Sequence, residues 1–202
     1  MTTARARKHY HHGDLESALI NTARKLVKED GAEHLSLRQV AHEIGVSPSA
    51  AYHYFPDRDS LLSGLGFSLF EELADYQEFE ISKITGKSAK AAKDRFRTLG
   101  RTYFQWAMEE PHFFNLMFGD FCATAALELN PRESTRAFNN LTRCLDELYN
   151  FNLITPKMRP YGELLAWSVV HGTTSLIIGG HLEPENFENA LNAVETALGI
   201  GN

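Results

Sequence analysis

Apolar residues recur at helical spacing along the whole chain. The first such stretch has the spacing i, i+3, i+4, i+7, i+8 and i+11 of one face of an amphipathic helix. Its members are Leu15, Ala18, Leu19, Thr22, Ala23 and Leu26. Asp14 is a candidate cap before this helix, and Gly31 is its predicted end. No run of alternating polar and apolar residues predicts a strand. The pattern therefore predicts an all-α protein.

Two short helices are predicted after the first one. Ser36 and Gln39 have the spacing of a capping box, Gly45 can take the positive φ of a tight turn, and Pro48 is tolerated in a first helical turn. The small Ala41 lies where two helices would cross closely. This is the pattern of a helix-turn-helix, although similar pairs of helices also occur in proteins that do not bind DNA.

Helix-breaking residues indicate where the remaining helices begin and end. Pro56 ends the third helix, and Asp57 or Asp59 can cap a fourth that carries further leucines. Helices are then predicted over 87–109, 111–120, 130–151, 158–181 and 185–198. The sequence predicts about nine helices, with a helix-turn-helix domain and a basic arm in residues 1–60 and a larger helical domain in residues 61–202.

Composition and charge narrow the class of protein. The two cysteines, Cys122 and Cys144, have no metal-binding spacing, which favours a reducing, cytoplasmic compartment. The apolar run 164–180 is too polar and too short to span a membrane. The net charge of -6 arises beyond residue 60, because residues 1–60 hold eight Lys/Arg and eight Asp/Glu. A basic arm on this neutral segment favours a polyanionic partner there.

The third predicted helix has the side chains that a DNA major groove requires. Short residues near its start (Ser47, Ser49, Ala50) let the backbone approach base edges, and the groups of Tyr52, His53 and Tyr54 suit phosphates and base edges. Phe55 is predicted to be core, and Arg58 can reach a phosphate. Half-buried packing is the alternative role for these tyrosines.

Residues 12–62 resemble the N-terminal domain of the tetracycline-repressor (TetR/AcrR) family of transcriptional regulators. The resemblance lies in "LINTARKLVKEDGAEHLS" and "LSLRQVAHEIGVSPSAAYHYFPDRDSLL", with the arrangement G-V-S-x-x-x-x-Y-x-Y-F-x-x-R-x-x-L-L. Ala51 stands where leucine is frequent in the family, and Arg58 where lysine is frequent.

The resemblance implies that helix three is the recognition helix. The residues that would then face DNA are Ser47, Ser49, Ala50, Tyr52, His53 and Tyr54. Ser36 and Arg38 would contact phosphates or the groove edge, and the arm with Arg5, Arg7 and Lys8 would add nonspecific or minor-groove contacts.

The stretch "HYHHGD" contains possible zinc ligands in His9, His11, His12 and Asp14. No second cluster stands at a suitable spacing, and a similar "HHGDL" opening occurs in some TetR-like proteins. We therefore expect a helix start beside DNA, with no metal and no cofactor.

Residues 103–121 are rich in aromatic side chains, and "WSVVHG" resembles the Trp–His–Gly signature of one TetR-like C-terminal domain class. These features predict an apolar effector pocket with a few polar groups, although a closed aromatic core is the alternative. The candidate pocket residues are Phe104, Gln105, Phe114, Asn115, Phe118, Trp167 and His171.

Two stripes in the last two helices predict a dimer interface. One stripe is small (Ser168, Gly172, Ser175, Gly179) and the other is apolar (Phe187, Leu191, Val194, Leu198). Packing within the chain is the alternative, but the family resemblance implies a dimer through these helices. Two recognition helices about 34–36 Å apart would then read a palindromic operator in double-stranded DNA.

The expected function is a DNA-binding regulator that a small-molecule effector releases, most simply a repressor, with activation as an alternative. No nucleophile elbow, phosphate loop, dinucleotide fingerprint or metalloprotease motif indicates an enzyme. A helical sensor that has lost DNA binding is a further alternative, which the intact Tyr52, Tyr54 and Arg58 disfavour.

Overall fold

A computed structural model describes residues 12–118 and 136–200. These ranges contain nine α-helices, two short 3-10 turns and no strand, which confirms the all-α prediction. The helices are α1 (His12–Asp30), α2 (Leu37–Ile44), α3 (Pro48–Tyr54), α4 (Arg58–Ser82), α5 (Ala89–Glu109), α6 (Pro111–Phe118), α7 (Arg136–Asn150), α8 (Gly162–Ile178) and α9 (Asn186–Leu198). The 3-10 turns are η1 (Ala32–His34) and η2 (Arg159–Tyr161).

The described residues form two compact units. Unit 1 comprises residues 12–69 and 112–118, and unit 2 comprises residues 70–111 and 136–200. Helix α4 continues without a break through the end of unit 1 into unit 2. The predicted domain boundary at residue 60 falls inside this helix and stays a prediction.

In unit 1, helices α1, α2, α3, α4 and α6 all bury apolar residues. On α1 the buried residues follow a spacing of four, Leu15, Leu19, Ala23 and Val27, while the predicted Ala18, Thr22 and Leu26 lie half-buried at the edge of that face. Buried residues of α4 and α6 are Leu61, Leu62, Leu65, Leu69, Phe113, Phe114, Leu116 and Met117, and those of α2 and α3 are Leu37, Val40, Ala41 and Ala51. Arg24 on α1 lies 5.2 Å from the ring centre of Phe113, a cation–π contact between α1 and α6.

The core of unit 2 joins α5, α7, α8 and α9. Its buried residues include Ala92, Phe96, Leu99, Cys144, Leu145, Leu148, Ile154, Ala166, Val194 and Leu198. Charged residues also link α5 to α9: Arg101 Nε donates to Glu188 at 2.6 Å, and Arg97 donates to Glu188 at 3.0 Å and to Glu195 at 2.5 Å. Helices α5 and α9 are therefore fixed to each other by both apolar and ionic contacts.

Four predicted helices have boundaries that differ from the structure or lie beyond it. Helix α1 begins at His12, so Asp14 lies in its first turn and is not its cap. The helix predicted over 158–181 begins only at Gly162, because Arg159, Pro160 and Tyr161 form η2. The predicted helices 111–120 and 130–151 extend into 119–135, outside the described residues. No helix in the described ranges is both long and apolar enough to cross a membrane.

Helices α5 and α9 are closely packed at Gly100. A methyl group at Gly100 would lie 2.8 Å from Leu191 Cδ2, and Leu191 is itself buried. We expect Gly100→Ala to lower the free energy of unfolding by about 1–3 kcal/mol, despite the better helix propensity of alanine, because overpacking displaces a confined side chain.

Chemical denaturation of Gly100→Ala, Leu191→Val and the double variant measures this contact. Leu191→Val removes the crowded Cδ2 atom, so the cost of Gly100→Ala should shrink in that background. Equal costs in both backgrounds would contradict the assignment of the crowding to Leu191.

Candidate DNA-binding surface

Helices α2 and α3 each begin at a serine cap and meet at a glycine turn. Ser36 Oγ accepts the backbone N–H of Gln39 at 3.2 Å, and Ser47 Oγ accepts that of Ala50 at 3.2 Å. Gly45 ends α2 in the left-handed region with φ 77°. The predicted cap at Ser36 and the predicted turn at Gly45 are confirmed, and the structure adds a second cap at Ser47. Together they fix the direction in which α3 leaves α2.

The inner faces of these helices are packed with small and aromatic side chains. Ala41 on α2 and Ala51 on α3 have no exposed surface, and the predicted core residue Phe55 is 7% exposed. A Cβ atom at Gly64 of α4 would lie 3.2 Å from Phe55 Cε1, so α4 passes directly over that ring. Phe55 therefore anchors α3 from behind.

The outer faces carry most of the predicted DNA-contacting residues. Ser36, Arg38, Ser47, Ser49, Tyr52 and His53 are exposed, and Ala50 and Tyr54 are half-buried. The ring of His53 lies edge-on to that of Tyr54, with 5.5 Å between centres. An open depression of about 650 Å³ is lined by Ser47, Ser49, Ala50, Tyr52, His53 and Tyr54. Leu15 of α1, which the sequence analysis assigned only to the core, also lines it.

Arg58 differs from the other predicted DNA-contacting residues because its guanidinium contacts the chain itself. Its Nη2 donates to the backbone oxygen of Ala32 in η1 at 2.6 Å, and 30% of its side chain is exposed. Asp59 Oδ1 lies 3.7 Å from Arg58 Nη1 and is largely exposed. The expected reach toward a phosphate is thus not the orientation that this side chain adopts.

In unit 2, two of the predicted pocket residues belong to an aromatic cluster. The hydroxyl of Tyr103 lies 2.8 Å from His171 Nδ1, and the ring of Trp167 lies 6.1 Å from His171 and 6.0 Å from Phe138. Burial lowers the pKa of His171 and raises that of Tyr103, so both are held neutral. Tyr103 and Phe138 were missed by sequence reasoning because no local spacing links them to His171.

Of the other predicted pocket residues, Phe104 and Gln105 lie in unit 2, and Phe114, Asn115 and Phe118 lie in unit 1. Gln105 is exposed and accepts a weak bond of 3.4 Å from Tyr76, and Asn115 is exposed on α6. These two were expected to supply polar groups inside a pocket; both side chains are exposed in this structure, and that role stays a prediction. Phe104 stacks on Phe187 at 4.1 Å, and Phe114 contacts Phe118 at 5.2 Å within unit 1.

The two predicted dimer stripes have different environments. Phe187, Leu191, Val194 and Leu198 are at most 2% exposed in the single chain, so the prediction that they face a partner is corrected: they belong to the core of unit 2. Ser168 and Gly179 on α8 are exposed, and Gly172 and Ser175 are half-buried. A Cβ atom at Gly172 would have no neighbour within 4 Å.

Several predicted features lie outside the described residues. The arm with Arg5, Arg7 and Lys8 belongs to this part of the chain, as do His9, His11 and Cys122. In residues 12–118 and 136–200, no three His, Cys, Asp or Glu side chains are placed to hold a metal ion. The expectation that the chain binds no metal stays a prediction.

A helix-turn-helix with an exposed second helix, followed by a second helical unit, defines a class of DNA-binding regulators. Residues 19–65 match the family model described as bacterial regulatory proteins of the tetR family, and residues 96–198 match that of the tetracyclin repressor-like C-terminal domain. The chain belongs to the tetR family and is a transcriptional regulator.

Curated relatives are similar over part of the chain. The HTH-type transcriptional regulator Mb1846 of Mycobacterium bovis is 29% identical over 105 residues, which is 52% of this chain and 44% of that protein. The regulator BetI of Brucella anthropi is 38% identical over 55 residues, 27% of this chain and 28% of BetI. The chain thus spans less than half the length of these relatives.

Solved structures extend the similarity over almost the whole chain. A Rhodococcus protein of unknown function has a TM-score of 0.70 and 26% identity, and the match covers 96% of this chain and 98% of that one. The fatty acid degradation regulator FadR of Bacillus halodurans has a TM-score of 0.64 and 13% identity, and the match covers 95% of this chain and 96% of FadR. At this low identity the second match shows the fold alone.

Proposed function

We propose that this protein is a repressor that binds a palindromic operator as a homodimer and releases it when a small-molecule effector binds unit 2. The observation that carries the proposal is the exposed face of α3. Five residues of α3 and its cap Ser47 line a single open surface, to which α1 adds only Leu15. Short polar groups stand at its start and aromatic groups at its end, as reading of base edges requires.

Residues on α2 complete this surface in the proposal. Arg38 is exposed next to the cap of α2 and would contact a phosphate, while the Ser36 hydroxyl, which caps α2, lies at the same edge. The serine, alanine and aromatic residues of α3 would read bases. The arm would add charge-dependent affinity without sequence preference.

The surface of α8 supports a dimer. Leu164 is 57% exposed and Leu176 is 45% exposed on this helix, and the small Ser168, Gly172 and Ser175 lie between them along the chain. Exposed apolar residues beside small ones are suited to close packing against a second helix. The exposed residues of α9 include Ala193 and Ala197, which would continue this face in place of the buried apolar row.

Two features of unit 2, the buried indole of Trp106 and the Tyr103–His171 pair, support effector binding. Trp106 is 4% exposed, and its indole N–H has no hydrogen-bond partner among the described residues. A buried N–H without an acceptor is costly, and a ligand oxygen would satisfy it. The neutral Tyr103–His171 pair offers polar groups without formal charge, which favours a neutral, largely apolar effector.

Selection from a random duplex library at moderate salt tests operator reading. We expect the wild type to enrich a palindrome, and Tyr52→Ala to weaken binding to it by about 1–3 kcal/mol because a groove contact is lost. The matched control is Tyr149→Ala, since Tyr149 in unit 2 is 38% exposed and Tyr52 is 42% exposed. Enrichment that survives Tyr52→Ala, or fails equally in the control, would contradict this role of α3.

Gly172→Leu tests the dimer. Because a side chain at residue 172 meets open space in the single chain, we expect the variant to fold and to sediment as a monomer at concentrations where the wild type is dimeric. The control is Asn139→Leu at an exposed position of α7. An unchanged dimer constant in Gly172→Leu would exclude this face of α8 as the interface.

Tryptophan emission provides a test of the effector site, because the only two tryptophans of the chain, Trp106 and Trp167, both lie in unit 2. We expect a neutral apolar compound that shifts this emission also to lower operator affinity, and Tyr103→Phe to weaken both effects. Tyr149→Phe serves as the control. A compound that binds with the same affinity in the presence and absence of operator has no differential affinity and would not be the effector.

A further inference from the structure

Arg58 connects two segments of unit 1 that are far apart in sequence. It is the first residue of α4, and its guanidinium bonds the carbonyl of Ala32, 26 residues earlier, at 2.6 Å. The same carbonyl accepts the backbone N–H of Leu35 at 3.2 Å. Arg58 therefore binds the 3-10 turn that joins α1 to α2.

This turn determines where α2 begins. Leu35 closes η1, and Ser36, the cap of α2, follows it directly. Ala32 and Leu35 are buried, so the turn is held by packing as well as by hydrogen bonds. A shift of η1 would move the start of α2, and with it the exposed Arg38 and the helix α3 that follows.

The first turn of α4 is itself rigidly held. Asp57 accepts the backbone N–H of Ser60 at 2.7 Å and its hydroxyl at 2.6 Å. The neighbouring Asp59 is 70% exposed and 3.7 Å from Arg58, so that ion pair contributes little. The bond to the carbonyl of Ala32 is thus a short contact that ties Arg58 to a distant segment of unit 1.

We propose that Arg58 is a positioning residue for operator reading and does not neutralise a DNA phosphate. It holds η1 and the start of α2 against the first turn of α4, and so sets the placement of the α2–α3 surface. This inference rests on the proposed DNA-binding function. It assigns to Arg58 a role different from that of the exposed Arg38.

A positioning residue and a phosphate contact have different consequences for DNA binding. Loss of a phosphate contact weakens binding to the operator and to nonspecific DNA alike. It also reduces the magnitude of the negative slope of log K against log salt by about 0.9. Loss of a positioning residue weakens the operator complex selectively and leaves the slope unchanged. A residue that only stabilises the fold changes neither affinity once the variant is fully folded.

The experiment compares Arg58→Gln with Arg38→Gln in the full chain, below the unfolding temperature of both variants. For Arg58→Gln we expect operator affinity to fall by roughly fivefold or more, a typical size for coupling between sites, with nonspecific affinity and salt slope unchanged. For Arg38→Gln we expect the operator affinity, the nonspecific affinity and the magnitude of the salt slope all to decrease. If Arg58→Gln behaves like Arg38→Gln, or leaves operator affinity intact, the proposal is wrong.

Hydrogen exchange in the absence of DNA gives a second measurement if Arg58→Gln folds poorly. In Arg58→Lys, which keeps the charge on a single ammonium, we expect faster exchange of the amides of residues 31–38 than in the wild type. Unchanged exchange in this segment would overturn the proposal. A wild type that selects no operator would instead refute the proposed function, and would leave the exchange result to decide the role of Arg58 within unit 1.

Discussion

The candidate DNA surface depends on the burial of two alanines between short helices. Helices α2 and α3 span eight and seven residues, far below the length at which a helix is stable alone in water. They persist because Ala41 and Ala51 allow close packing and Phe55 anchors α3 under α4. Every exposed group on α3 is placed by these buried contacts, so a larger side chain at either alanine would disturb DNA reading without touching DNA.

The parts of this surface that local chemistry determines were predictable from the sequence. The hydroxyls of Ser36 and Ser47 cap their helices by accepting the backbone N–H three residues later, and Gly45 takes a positive φ. A few neighbouring residues are therefore enough to predict these features. The orientation of Arg58 was not predictable in this way. Its partner, Ala32, is a backbone carbonyl 26 residues away, and nothing in the residue type marks that oxygen as an acceptor.

In unit 2, periodicity predicted the helices but not what their faces contact. The row Phe187, Leu191, Val194 and Leu198 has the spacing expected both of a dimer surface and of a core, and its burial in the single chain decides for the core. Similarly, Gln105 lies within an aromatic segment yet is exposed. Tyr103 and His171 pair across 68 residues, a contact that only the packing of helices α5 and α8 reveals.

The arginine at residue 58 fits the contact with Ala32 better than the lysine that is frequent at this place in the family. A guanidinium is less strongly hydrated than an ammonium, so it loses less solvation when one nitrogen bonds a partly buried neutral carbonyl. Its Nη1 lies 3.7 Å from Asp59 Oδ1, and 30% of the side chain stays exposed. The substitution keeps the charge but favours a fixed inward bond, which suits a residue that holds η1 in place.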